Sequence, residues 1–132
     1  MQTMTLRAIL LAVMCLASVS ARLQPFIERA SYKDQEKVIE IAVSYSGGCA
    51  THRFRLEIGD CLEIFPAICR DAKLFDLTTT DGCKANIRET IKINLSEAGL
   101  NTDYYTGAII TINGSGESIA TITLPGELRM DG

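Results

Sequence analysis

The chain contains no tryptophan, and His52 is its single histidine. The first absence excludes an antibody-type domain, whose core is built on a Cys–Trp–Cys constellation. The second is more restrictive. Any imidazole-based acid/base step, a Ser–His–Asp triad included, has to pass through His52, and no Gly-x-Ser-x-Gly elbow supplies the serine. No D-x-D-x-D-G calcium loop surrounds Asp81-Gly82, which reads as a turn, and no phosphate-cradling glycine loop is present. Positive charge is sparse as well. Thirteen Lys and Arg face 16 Asp and Glu, and after the N-terminal segment they are scattered singly apart from Arg53 and Arg55. Phosphate binding is driven by clustered basic side chains, so nucleic acid is not an expected partner. No apolar run approaches the length of about 20 residues that a spanning helix requires.

What is present begins with a leader. Arg7 precedes the apolar run from Ala8 to Ala17, and Val19-Ser20-Ala21 places small residues where a signal peptidase reads them. A positive n-region, a short apolar core and an A-x-A-like site make a secretory signal. Cleavage is expected between Ala21 and Arg22, giving a signal peptide over 1–21 and one domain over 22–132. A lipid anchor on Cys15 is disfavoured, because Met14 is bulky and Cys15 lies inside the apolar core. The expected location is the periplasm or the extracellular space. Four cysteines then remain, Cys49, Cys61, Cys69 and Cys83. An even number in a short exported domain implies a disulfide framework, with three connectivities open.

The hydrophobic period from Lys37 onward is two. Ile39, Ile41, Val43 and Tyr45 alternate with Val38, Glu40, Ala42 and Ser44; His52, Phe54, Leu56 and Ile58 alternate with Arg53, Arg55 and Glu57. These are half-buried strands. Residues 22–36 are polar and mixed, and supply at most an edge strand. Lys73 to Thr78 reads as a short strand after a Pro66-containing loop from Cys61 to Cys69. Ile87, Glu89, Ile91, Ile93 and Leu95 share one face of another strand, and 96–106 connects onward with at most one helical turn. Ala108–Ile112 and Ser118–Leu124 flank Asn113-Gly114-Ser115-Gly116, a hairpin signal. Six or seven short strands predict an all-β, antiparallel sandwich of immunoglobulin-like architecture. A small closed barrel is the alternative.

Three chemistries could draw on these residues. Cys49-x-x-His52 has metal-ligand spacing, but no second close cysteine pair accompanies it, and in an oxidising compartment the thiols pair with one another. No metal, cofactor or catalytic residue is therefore expected, and His52 is read as a packed or hydrogen-bonded strand residue. A nucleophilic cysteine fails for the same reason. Glu57, Asp60, Glu63, Asp71 and Asp76 could serve a carboxylate-dependent hydrolase only if two of them faced each other across a cleft. Asn94-Leu95-Ser96 and Asn113-Gly114-Ser115 satisfy the N-x-S pattern, which matters only in a glycosylating host.

Gly47-Gly48-Cys49-x-x-His52-x-Phe54-x-Leu56, then Asp81-x-Cys83-x-Ala85, then Ile91-x-Ile93-x-Leu95-Ser96 resemble a group of small exported bacterial proteins of unknown activity. The resemblance covers roughly residues 38–96 and carries no catalytic assignment. It implies that Cys49 pairs with Cys83, which leaves Cys61 and Cys69, additions in this chain, to pair with each other. The chain departs from the group in having no histidine shortly after Leu74. The nested pairing also suits the strand ends, since Cys49 follows one strand and Cys83 follows the Asp81-Gly82 turn. The expected function is a non-enzymatic exported module that binds a protein or glycan. A narrower version is a secreted inhibitor-like binder whose Cys61–Cys69 loop presents Leu62, Ile64, Phe65 and Ile68.

Overall fold

The computed structural model describes residues 23–78 and 80–126. The expected signal segment, 1–21, and its expected cleavage point lie outside the described residues. Seven strands follow in order: β1 (Phe26–Lys33), β2 (Val38–Gly47), β3 (Phe54–Glu57), β4 (Ile68–Asp76), β5 (Ala85–Asn94), β6 (Ile109–Asn113) and β7 (Ile119–Thr123). They form two sheets, ordered β1-β2-β5 and β3-β4-β6-β7. This is the two-layer all-β sandwich with two disulfides that the period-two pattern implies, and not the closed barrel.

The polar, mixed segment within 22–36 does form an edge strand, β1, paired antiparallel to β2 with a bulge at Glu28. β2 is the centre of its sheet, flanked by β1 and β5. Its inward residues Ile39, Ile41 and Val43 are at most 1 % exposed, and its outward Val38 and Ala42 are buried too. A central strand is shielded on both edges, so even small outward residues lose their water. From the other sheet Leu56, Ala72, Leu74, Ile110, Ile112 and Ile122 meet the β2 residues in one cluster. Each fully buried Ile or Leu contributes about 1.5–3 kcal/mol by removal from water, which is what holds the layers together.

Two details differ from the sequence-based expectation. First, the pairing is not wholly antiparallel: β4 and β6 run parallel, Ile68 beside Ile109 and Ala72 beside Ile112. Parallel neighbours need a crossover of a dozen or more residues, and here it consists of β5 in the opposite sheet and the 95–108 connector. Second, β4 begins at Ile68 rather than near Lys73, and β3 covers only Phe54–Glu57. Exposed Arg70 and Asp71 hide β4's early half from a strict alternation test, because they sit at a bulge where its register against β6 shifts. Asn113 pins this bulge, its Nδ2 donating to the carbonyls of Arg70 (3.0 Å) and Ala72 (2.9 Å). That amide is thus engaged in the fold.

The layers also touch along one side, where β1 lies against β7. Ser115 N–H donates to the Pro25 carbonyl (2.9 Å), and Ile27 N–H donates to Ser118 Oγ (2.9 Å). The opposite end of the chain segment, Leu23, bridges to Asp76 at the end of β4 through Asp76 N–H donating to its carbonyl (2.8 Å). The segment 23–26 therefore crosses one end of the sandwich, and it helps to form the cleft described next.

Candidate functional site

The disulfides connect Cys49 to Cys83 and Cys61 to Cys69, with Cα separations of 5.5 Å and 4.3 Å. They define two places on the surface. One is the closed loop 61–69. Cys69 is fully buried on β4, while Leu62, Ile64 and Phe65 are 45 %, 53 % and 76 % exposed. Ile68, the fourth residue expected on this surface, is half-buried instead, because it belongs to β4 and pairs with Ile109. The loop is ordered from within: Leu62 N–H donates to the Ile68 carbonyl (2.9 Å) and Ile64 N–H to the Leu62 carbonyl (2.8 Å). Its apolar side chains are thus displayed by a backbone already fixed, and exposed Ile109 extends the patch onto β6.

The other place is the corner around His52, where the chain enters β3 from β2. The His52 side chain is 4 % exposed and lies between two carboxylates, each 5 % exposed. Nδ1–H donates to Asp76 Oδ2, and Nε2–H donates to Asp81 Oδ2 (2.7 Å). An ionised carboxylate only accepts, so a ring set between two of them is favoured in its doubly protonated, imidazolium form. The hydrogen bond to Asp81 is the main force raising the His52 pKa above its usual value, with Asp76 adding to it and burial opposing. The ring also packs on Tyr45, centroids 4.4 Å apart, within cation–π range.

Asp81 is held by the backbone. Gly48 N–H (3.1 Å) and Ala50 N–H (3.2 Å) donate to Oδ2, and Cys49 N–H (3.3 Å) and Cys83 N–H (3.0 Å) donate to Oδ1. Successive N–H groups converging on one anion form a nest. Gly48 makes the turn possible at φ +116°, where L side chains are strained. Gly47 makes the approach possible: a Cβ there would sit 2.7 Å from Asp81 Oδ2 and 2.8 Å from His52 Nε2. Hydrogen bonding to His52 and to these amides holds the Asp81 pKa well below the ordinary carboxylate range. Burial and an Oη–H bond to Glu89 (2.8 Å) push Tyr45 up to about 12. So Tyr45 stays protonated near neutral pH.

A cleft of about 320 Å³ opens over this corner, walled by Leu23, Pro25, Phe26, Ser44, Tyr45 and Thr78, with His52, Asp76 and Asp81 at its base. Of the five carboxylates weighed from sequence, Asp76 alone lines it. Glu57 is half-buried on β3, and Asp60, Glu63 and Asp71 are exposed. The cleft's two acids, Asp76 and Asp81, are joined through one imidazolium, so neither is a free acid/base partner of the other. The sequence around Asp81 signals only a turn; its four backbone bonds and its tie to His52 have no signal in the local pattern. Cys49, Asp81 and Cys83 stand close enough to share an ion, but both sulfurs are spent on their mutual bond.

Comparison with protein-family models, curated proteins and solved structures returns no match.

Proposed function

We propose that the chain is an exported, non-enzymatic binding module that engages a protein through its Cys61–Cys69 loop, in the manner of a secreted inhibitor. The observation that carries this reading is the exposure of Leu62, Ile64 and Phe65 on a covalently closed loop. Full burial of each such side chain in a partner is worth about 1.5–3 kcal/mol. A loop already ordered loses less entropy on binding, so more of that gain survives as affinity. A glycan suits this surface poorly, because sugar hydroxyls need hydrogen-bonding side chains and the loop offers Leu, Ile and Phe. The absence of catalysis is supported by chemistry already committed elsewhere: the lone imidazole is bonded at both nitrogens and the four cysteines among the described residues are paired. Export is supported by the leader at 1–21 and by the disulfides, which persist in oxidising compartments.

The test replaces Phe65 with a photo-crosslinking benzoyl-phenylalanine in the producing cell, with the same group at exposed Glu117 as control. One protein adduct should form from position 65, be lost in an Ile64→Ser/Leu62→Ser background, and be absent from position 117. Identical adducts from both positions, or none from position 65, would overturn the loop reading. Mature protein that retains residues 1–21 would overturn export through a cleaved signal.

A further inference from the structure

The corner around His52 holds a donor set that the oxidised protein does not use. We propose that opening the Cys49–Cys83 disulfide turns this corner into a zinc-class metal site, with Cys49 Sγ, Cys83 Sγ, His52 Nε2 and an Asp81 carboxylate oxygen as ligands. This goes beyond the binding role of the 61–69 loop and does not rest on it.

Placement is the first support. The two sulfurs and an Asp81 oxygen all lie within 4.8 Å of one another, and His52 Nε2 is 2.7 Å from Asp81 Oδ2. Ligand bonds of about 2.0–2.3 Å in a tetrahedron set donor atoms roughly 3–4 Å apart; Cys49, Cys83 and Asp81 already form a close group, and His52, which touches it through Asp81, has to swing toward the freed sulfurs to complete the four. Two thiolates, one imidazole and one carboxylate suit a borderline ion such as Zn²⁺.

The surroundings are those of a ligand histidine. A metal-bound imidazole almost always donates its other N–H to a carboxylate, which fixes the ring and raises its basicity. His52 Nδ1 already donates to Asp76 Oδ2, and Thr78 N–H in turn donates to Asp76 Oδ1 (2.9 Å). The ion would take the position now held by the Nε2 proton.

The frame does not depend on the S–S bond. Gly47 pairs with Ala85 at the end of the β2–β5 ladder, so Cys49 and Cys83, each two residues beyond that pair, stay neighbours when it opens. Asp81 stays anchored by Gly48 and Ala50 N–H, and His52 is fixed by the start of β3. Access favours this bond as well: Cys49 is exposed, whereas Cys69 of the other disulfide is fully buried. The chemistry balances with a dithiol reductant. Its two thiols are oxidised to a disulfide as Cys49 and Cys83 become thiols, and ion binding then releases two thiol protons and the Nε2 proton.

The full mature chain is reduced with a dithiol under argon and titrated with Co²⁺, the spectroscopic stand-in for zinc. One equivalent should bind, giving the intense visible bands of tetrahedral cobalt and near-ultraviolet sulfur-to-cobalt charge transfer. The oxidised protein should give neither. The charge transfer should persist in a Cys61→Ala/Cys69→Ala background and disappear in Cys83→Ser. Asp76→Asn should weaken binding 10–100-fold while leaving the charge transfer in place, and His52→Gln should weaken it more. Far-ultraviolet circular dichroism should show the reduced protein still folded. Loss of the β signal on reduction, no cobalt bands, or bands indifferent to His52→Gln would each overturn the proposal.

Discussion

The two disulfides close loops of very different length, with sequence separations of 34 for Cys49–Cys83 and 8 for Cys61–Cys69. In the chain-entropy model the longer cross-link contributes up to about 4 kcal/mol and the shorter up to about 2.5. Against a total stability of about 5–15 kcal/mol for a small domain, the longer one is a large share. Alanine variants confound this difference, because Cys69 is fully buried and Cys49 is exposed. Removing a packed sulfur at 69 adds a cavity cost of about 1 kcal/mol, which nearly erases the expected gap. Reduction separates the two contributions. Urea melts of native, Cys49→Ala/Cys83→Ala and Cys61→Ala/Cys69→Ala proteins, each oxidised and reduced, give the packing cost from the reduced comparisons alone. Subtracting it leaves the cross-link contribution of each pair. At an m-value of about 2 kcal/mol/M, the 49–83 cross-link should move the midpoint by about 2 M, and the 61–69 cross-link by about 1.2 M. A 61–69 contribution equal to or larger than the 49–83 one would refute the reasoning, and with it the view that β2 and β5 are stapled mainly through the unfolded state.

Phe65→Ser should change the urea-derived stability by no more than about 0.5 kcal/mol, as expected for an exposed site, and should abolish the adduct formed when the photo-crosslinking residue is placed at position 64 instead. Ile41→Ala, at the centre of β2, should cost about 2–5 kcal/mol in the same melts, and a cost below 1 would place the core elsewhere. The His52 clamp predicts a stability plateau. Its raised pKa supplies stability in full below the unfolded value of about 6.5, lost as pH rises through the folded value. The lowered pKa of Asp81 supplies stability above about 3.9, lost as pH falls toward its folded value. Melts across pH 3–9 should therefore show a maximum between about 4 and 6.5, and His52→Asn should flatten the alkaline decline.

The strands were legible because most of them bury one face. β2 and β5 alternate as written, and the edge position of β1 follows from its polar composition. β4 was only half visible, since its bulge puts Arg70 and Asp71 side by side and its buried Cys69 and Ala72 carry little hydrophobic signal. The parallel β4–β6 pair was not legible at all. Nothing in either strand encodes direction, and the Asn113 side chain that fixes their register acts across 41 residues.

The His52 corner shows where local reading stops. Gly47, Gly48, Cys49 and His52 were recognised as a unit, and the structure supplies the physical reason for each spacing. Gly47 clears the space for the Asp81–His52 contact, Gly48 turns the amides inward, and Cys49 locks the turn to β5. Their counterpart, Asp81, sits in a stretch that looked like an ordinary Asp-Gly turn, and Asp76 looked like a strand-end charge. Both became informative only once three connections placed them about the same ring: the β2–β5 ladder, the β3–β4 pair and the long disulfide. A buried cation between two buried carboxylates is costly unless every lone pair is met, and here four backbone amides and Thr78 N–H meet those that His52 does not. The same completeness that meets the lone pairs of the oxidised corner is what would hold its ligands in place when the sulfurs are set free.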